Sequence, residues 1–349
     1  MAVPSEQVLW EESAMTLTRR EFTVATLAGL AATSGMTLAV RAQGKKTIAV
    51  LFDGLYSEFW VAGIQIIRDD LKKRGFEIME AISDQDDNKQ FEQVRAAIAR
   101  KVDGIIIVQT DSNAVIPAIK AANEAKIPMV HFNRPPAKTE AFSVAIQADN
   151  QKIARDAVTY ACEVAKKSGQ KHKAAILIGD LGDPNAIQRR DGFEEAVAQF
   201  ADTIEVVAKI PTEWNADTAF AGLSNALQAN PDISFLFTSS DFLIPQIQQA
   251  LKSADKWHKV GEEGHVIFTG FDGFPDAYAL MKDGYMDACG VQNLFFETEL
   301  AIQAILDLQE GKTVDRLLLD PGFAITQANM SEKAAEMWGY VLWKEKNPG

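Results

Sequence analysis

Val266-Ile267-Phe268-Thr269-Gly270-Phe271-Asp272-Gly273-Phe274-Pro275 changes character within a single turn. An apolar, β-favouring run stops at an aspartate set between glycines, and a proline then opens the next segment, as proline does at first helical positions. The stretch reads as strand, tight turn, helix. In an open parallel sheet the carboxyl end of a strand faces the crevice where ligands bind. Asp and Gly are also ordinary turn residues, so the weight of this aspartate depends on what the other strand ends carry.

Working outward, the same unit repeats along the chain. Thr47 to Phe52 is a short apolar strand, followed by a helix with Val61, Ile64, Ile67 and Leu71 at helical spacing and a stop at Gly75. A strand (Phe76 to Ile82), a helix (Asn88 to Arg100), the run Gly104 to Gln109, a helix (Asn113 to Ala125) and the strand Met129 to Phe132 follow. Ile105 to Val108 and Met129 to Phe132 do not alternate, which suits strands covered on both faces. Ala145 to Asp149 reads as a crossing point, because the pattern then restarts. Helices are expected over Gln151 to Lys167, Asn185 to Phe200, Ala216 to Ala229 and Phe242 to Ser253. They alternate with strands at Ala174 to Ile178, Ile204 to Lys209 and Ser234 to Phe237. The opening stretch comes next, then a helix (Pro275 to Lys282), a strand (Met286 to Val291) and a long helix (Phe295 to Glu310). Repeated βα units of this kind make doubly wound parallel sheets, and the restart makes two α/β lobes of them.

Length supports two lobes, since 349 residues exceed the usual single-core limit. A net charge of -13 with no basic stripe argues against nucleic acid or an anionic membrane as partner. Residues 1–42 stand apart from the fold. Arg19-Arg20 precede a weakly apolar run from Thr23 to Val40, and Val40-Arg41-Ala42 offers small residues at a cleavage point. The segment resembles a twin-arginine export signal, and Thr, Ser and Gly interrupt it too often for a membrane anchor. Met1 to Ala14 carries acids and no base, which leaves Met15 as the alternative start. Cys162 and Cys289 could pair in an exported chain, a question that needs geometry.

The strand ends share one chemistry. After successive strands come Tyr56, Ser57, Glu58, Phe59 and Trp60; Asn133 and Arg134; Asp183, Asn185 and Arg189; Trp214 and Asn215; Ser239, Ser240 and Asp241; Asp272; and Gln292. Planar carboxylate, amide and guanidinium groups serve neighbouring hydroxyls in forked geometry. Aromatic plates cover the C–H faces of a sugar ring. The set suits a neutral polyhydroxylated ligand.

Taken together, Thr47-Ile-Ala-Val with Phe59-Trp60, Asp103-Gly104-Ile-Ile-Ile, Asn185-Ala-Ile-Gln-Arg189-Arg-Asp-Gly-Phe193, Gly270-Phe-Asp-Gly273 and Gln292 resemble the periplasmic sugar-binding proteins of ABC importers, in the ribose- and galactose-binding class. The resemblance runs from Thr47 to the end. It implies the type I periplasmic binding protein fold, with lobes formed by 43–148 plus 293–321 and by 149–292 plus 322–349. Hinge crossings are implied near Ala148–Asp149, Gln292–Asn293 and Asp320–Gly322.

By the same resemblance Phe59 and Trp60 stack on a monosaccharide with Ser57 beside them, Asn133 and Arg134 fork onto hydroxyls, and Trp214 is the opposing plate. Ribose binders carry aspartate before this arginine and phenylalanine at the tryptophan. Ser240 stands where asparagine is common, and Asp272 and Gln292 fit the pattern. In the second lobe a galactose-type register selects Asn185 and Arg189, a ribose-type one Ile187; Arg189 is preferred. The implied partners are the sugar and the subunits of an ABC permease, with a monomeric, periplasmic protein and no cofactor or metal.

Other readings are weaker. Tyr340, Trp343 and Trp338 form an aromatic tail expected to dock on the second lobe. Arg190 and Asp191 read as a solvated helix pair, His131 as a strand residue, and His172, His258 and His265 as surface positions. Enzyme motifs for dinucleotide, phosphate, serine or zinc chemistry do not occur, although Asp183 and Asp272 offer a carboxylate pair of the kind glycosidases use. A sugar-responsive regulator of this fold needs a helix-turn-helix ahead of Thr47, where the export-type segment lies. A sensor passing a sugar or a furanone to a chemoreceptor is the remaining alternative within the binder class.

Overall fold

The βα alternation builds two six-stranded sheets with one winding pattern. The computed structural model describes residues 45–348, so the export-type segment and the choice between Met1 and Met15 lie outside the described residues. The first sheet takes β1 (Thr47–Phe52), β2 (Glu77–Ile82), β3 (Gly104–Val108), β4 (Met129–Phe132) and β5 (Val144–Ala148). Its helices are α1 (Glu58–Lys73), α2 (Asp87–Ala99) and α3 (Ile116–Glu124). The chain then crosses through α4 (Asn150–Lys167) into β6 (His172–Ile178), α5 (Pro184–Ala198), β7 (Ile204–Pro211), α6 (Ala216–Ala229) and β8 (Ile233–Thr238). A short 3-10 turn, Asp241–Leu243, precedes α7 (Ile244–Ser253), followed by β9 (Ile267–Asp272), α8 (Pro275–Asp283) and β10 (Ala288–Val291).

The chain returns through α9 (Leu294–Gln309) and β11 (Leu317–Asp320), crosses once more into β12 (Phe323–Thr326), and ends in α10 (Met330–Lys333) and α11 (Trp338–Lys346). Strand order is β2-β1-β3-β4-β5-β11 in one sheet and β7-β6-β8-β9-β10-β12 in the other. All pairings are parallel except β12 against β10. This late strand reaches the second sheet after only a two-residue turn from β11, too short for a parallel crossover.

β3, β4 and β5 are buried along their whole length, as strands covered by helices on both faces must be. Helices α4 and α5 pack closely because Gly192 carries no Cβ; one there would lie 2.3 Å from the carbonyl oxygen of Gln151. Several expectations need correction. Val61 is exposed, and α1 buries Phe59, Trp60, Ala62, Gly63, Ile64, Ile67 and Leu71 instead. The adjacent aromatics rotate the buried face away from Val61. His172 is buried, its ring bonded to Ser168 Oγ and Ser234 Oγ, and His258 and His265 are half-buried. Cys162 and Cys289 are both free and buried, one in α4 and the other in β10.

Candidate functional site

Every strand end named above opens on one cavity of about 700 Å³ between the carboxyl ends of the two sheets. The shared winding explains this, since each sheet places its βα turns at one edge and those edges face one another. Ser57, Phe59, Trp60, Asn133, Arg134, Asn185, Arg189, Trp214, Ser240, Asp272 and Gln292 all line it. Ile187 does not. Asp53, Tyr56, Gln85, Thr110, Asp183, Phe242 and Phe274 complete the wall.

On the first-sheet side, Arg134 donates through one terminal nitrogen to Asp53 Oδ2 at 2.9 Å and through the other to the Tyr56 hydroxyl at 2.7 Å. Its guanidinium carbon lies 4.8 Å from the centre of the Trp60 ring. Burial raises Asp53 above the ordinary carboxyl range, opposed by Arg134. Burial acts to lower the Arg134 guanidinium, yet Tyr56 and Asp53 together hold it above its ordinary range. Asp53 Oδ1 is buried with no hydrogen-bond partner among the described residues. Asp53 was not expected at the site, yet Phe52-Asp53-Gly54 repeats the pattern of Phe271-Asp272-Gly273.

Across the cavity, Arg189 pairs with Asp272 Oδ1 at 2.9 Å, bonds Ser239 O and Asn150 Oδ1 at 2.8 Å each, and lies 4.1 Å over the Phe271 ring. Ser240 donates to Asp272 Oδ2, and Gln292 Nε2 to Asp272 Oδ1 at 2.7 Å. Burial raises the Asp272 pKa, and Arg189 opposes the rise. Asp272 has φ of 115°, a region L-residues avoid, at a cost of order 1–3 kcal/mol. The surroundings over-determine it. Asp241 takes the amides of Phe271, Gly273 and Phe274 at 2.9, 2.8 and 3.1 Å, and the indole of Trp338 donates to Asp272 O at 2.9 Å.

The aromatic plates are partly committed to packing. Phe59 and Trp60 meet edge to face at 5.0 Å and both are buried. Trp214 donates to Asp183 Oδ2 at 3.2 Å, and Asp183 Oδ1 caps α5 through the amide of Asn185. Asn185 Oδ1 accepts from Gln147 and Asn150 at 3.1 and 3.0 Å. The aromatic tail docks on α8 through Tyr340 and Trp343 against Tyr278. Trp338 departs from the expectation of a remote cluster: it contacts Phe59 as well as Asp272 O. Arg190 and Asp191 pair on the surface.

Comparison with known proteins places this geometry. A profile of the periplasmic binding protein domain matches residues 48–313. A ribose import binding protein of Salmonella typhimurium is 31% identical over 265 residues, covering 76% of this chain and 85% of the relative. A putative rhizopine-binding protein of Rhizobium meliloti is 26% identical over 307 residues, covering 87% and 96%. A solved ABC transporter periplasmic solute-binding protein from Actinobacillus succinogenes 130z, with bound D-allose, superposes with a TM-score of 0.73 at 25% identity, covering 82% of this chain and 99% of that one. Two like-wound sheets with a polar cavity between their carboxyl edges, and a profile match across both, mean that this chain belongs to the periplasmic binding protein family.

Proposed function

We propose that this protein is the periplasmic solute-binding component of an ABC importer, and that it captures a neutral, monosaccharide-sized polyol for delivery to a membrane permease. The observation that carries the proposal is the cavity itself: about 700 Å³, walled by carboxylates, amides, two arginines and two tryptophans drawn from both sheets. That volume is ample for one sugar ring with its water. Each arginine already faces a carboxylate, Arg134 with Asp53 and Arg189 with Asp272, so the wall has no strong excess of positive charge to draw an anion. Ribose and D-allose, the ligands of two of these relatives, suit this chemistry.

Two lobes, 43–148 with 293–321 and 149–292 with 322–349, would close on the ligand about three chain crossings. The reading is of a binder and not an enzyme. Asp183 is committed to an amide and an indole, and Asp272 to Arg189, Ser240 and Gln292. Neither carboxylate is left to shuttle a proton at a glycosidic bond.

Thermal unfolding of residues 43–349 against pentoses, hexoses and cyclitols tests the proposal. A native-state ligand at a hundredfold excess over its Kd stabilises by about 2.7 kcal/mol, so one neutral sugar should raise Tm clearly. Asp272→Ala and Trp214→Ala should each abolish that shift while unfolding cooperatively without sugar. No shift with any sugar, or an unchanged shift in both variants, rejects the function or the site respectively.

A further inference from the structure

Asn133 Nδ2 donates to Gln292 Oε1 at 2.9 Å and to Glu297 Oε2 at 3.4 Å. Gln292 in turn donates through Nε2 to Asp272 Oδ1 at 2.7 Å. Asp272 is paired with Arg189 and accepts from Ser240, so it has no proton to give Gln292. The direction of the chain is therefore set from its far end. Turning the Gln292 amide over would bring its oxygen against the Asp272 carboxylate. Turning Asn133 over would bring its oxygen against Gln292 Oε1, which has no proton to offer. Both hydrogens of the Asn133 amide are spoken for, and Oδ1 is the atom left on a residue that lines the cavity.

Glu297 is the unexpected member. It lies on α9, is fully buried, and its Oε1 has no partner among the described residues. A buried carboxyl with one oxygen unmatched is costly, and the contact it makes toward the cavity is to Asn133. We propose that Glu297 is a positioning residue that, with Gln292, locks Asn133 as a hydrogen-bond acceptor, so that the cleft takes ligands presenting a hydroxyl donor there and rejects sugar acids. Asn133 thus offers the polarity of an aspartate without its charge, and the acidic group stands one layer behind, out of reach of the ligand. The inference rests on the sugar-binding reading for its ligand and on the protein alone for its lock.

The lock is tested without ligand. Asn133→Asp changes shape hardly at all but sets a carboxylate against Gln292 Oε1 and Glu297, where only a protonated acid can donate. Asp320, Asp272 and Arg189 are the other charged groups acting on Glu297, whose carboxyl burial already holds well above the usual range. The Tm loss from Asn133→Asp should grow as the pH is raised from about 5 to about 8, because the introduced carboxyl can donate to Gln292 Oε1 only while it keeps its proton. Adding Glu297→Gln should shrink that growth. A loss independent of pH, or one that Glu297→Gln leaves unchanged, overturns the lock.

The selectivity is tested on the wild-type protein with D-ribose, D-allose and myo-inositol against D-ribonate and D-glucuronate. A Tm shift with a neutral member and none with either acid supports the proposal; a shift with an acid overturns it. If no neutral member binds, the sugar reading fails while the pH result on the lock stands or falls by itself.

Discussion

Asp241 stands directly behind Asp272, taking three backbone amides and the Cys289 thiol while contributing nothing to the cavity wall. Burial and the neighbouring Asp272 push its carboxyl up to about 8. Its work is to hold a strand end open in a conformation an aspartate avoids. His131 acts similarly on the other side, bonding Gln109 Oε1 at 3.0 Å and Ser143 Oγ at 3.1 Å, while Gln109 Nε2 reaches Arg134 O at 2.8 Å. Burial lowers the His131 pKa to about 3. The unfolded chain therefore takes up a proton near its ordinary pKa that the folded chain refuses. The stability this gives is whole above about pH 6.5 and is lost as pH falls toward 3, by up to about 1.4 kcal/mol per pH unit. In His131→Gln the urea midpoint should fall less steeply between about pH 6.5 and pH 5 than in wild type. Parallel slopes would mean that the folded protein accepts the proton. Many of the cavity residues could be picked out because they follow apolar strands, whereas Asp53, Gln85, Thr110, Phe242 and Phe274 were passed over. Asp241 was visible at a strand end, but its inward direction was not. Glu297 gave no signal, since a glutamate inside a helix reads as a solvated one.

At the scale of elements, the strand–turn–helix grammar located β9, α8 and their junction, with ends that shifted by a residue or two. The C-terminal helix was less legible. Trp338, Tyr340 and Trp343 announce a docked segment, but which surface they dock on is a matter of shape. The deciding residue is Gly339: a Cβ there would lie 2.2 Å from Gly273 O, and its amide bonds that same oxygen at 3.1 Å. Backbone-to-backbone contact lets α11 begin against the turn that carries Asp272. Gly339→Ala should therefore cost about 1–3 kcal/mol by overpacking. It should also weaken any sugar that stabilises wild type, because the Trp338 bond to Asp272 O is displaced. A stability within about 0.5 kcal/mol of wild type and unaltered affinity would show that the helix adjusts without consequence.

For the whole molecule, the first sheet supplies Asp53, Asn133 and Arg134, and the second supplies Arg189, Ser240 and Asp272. On the proposed function, a ligand touching both would gain its full contacts only when they approach, which would shift the population toward closure. Few interactions besides the crossings tie the sides near the tail: the Phe59–Trp338 contact at 5.9 Å, and Lys346 with Glu58 at 3.0 Å, an exposed pair of small worth. Small-angle scattering should show a smaller radius of gyration with a stabilising sugar than without. An unchanged radius would mean that binding proceeds in a preset cleft.

What the sequence determined by itself was the periodic part of this protein: apolar runs and helical spacings that dictate βα units, and polar groups at each strand end that a doubly wound sheet must bring to one edge. Those are local patterns with a fixed geometric consequence. Only the tertiary structure decided which way each polar group points, that β12 returns antiparallel, that the cysteines stay apart, and that a buried glutamate stands behind Asn133. Each of those depends on partners distant in the chain, and hydrogen-bond direction in particular is set by the whole network and by no single residue in it.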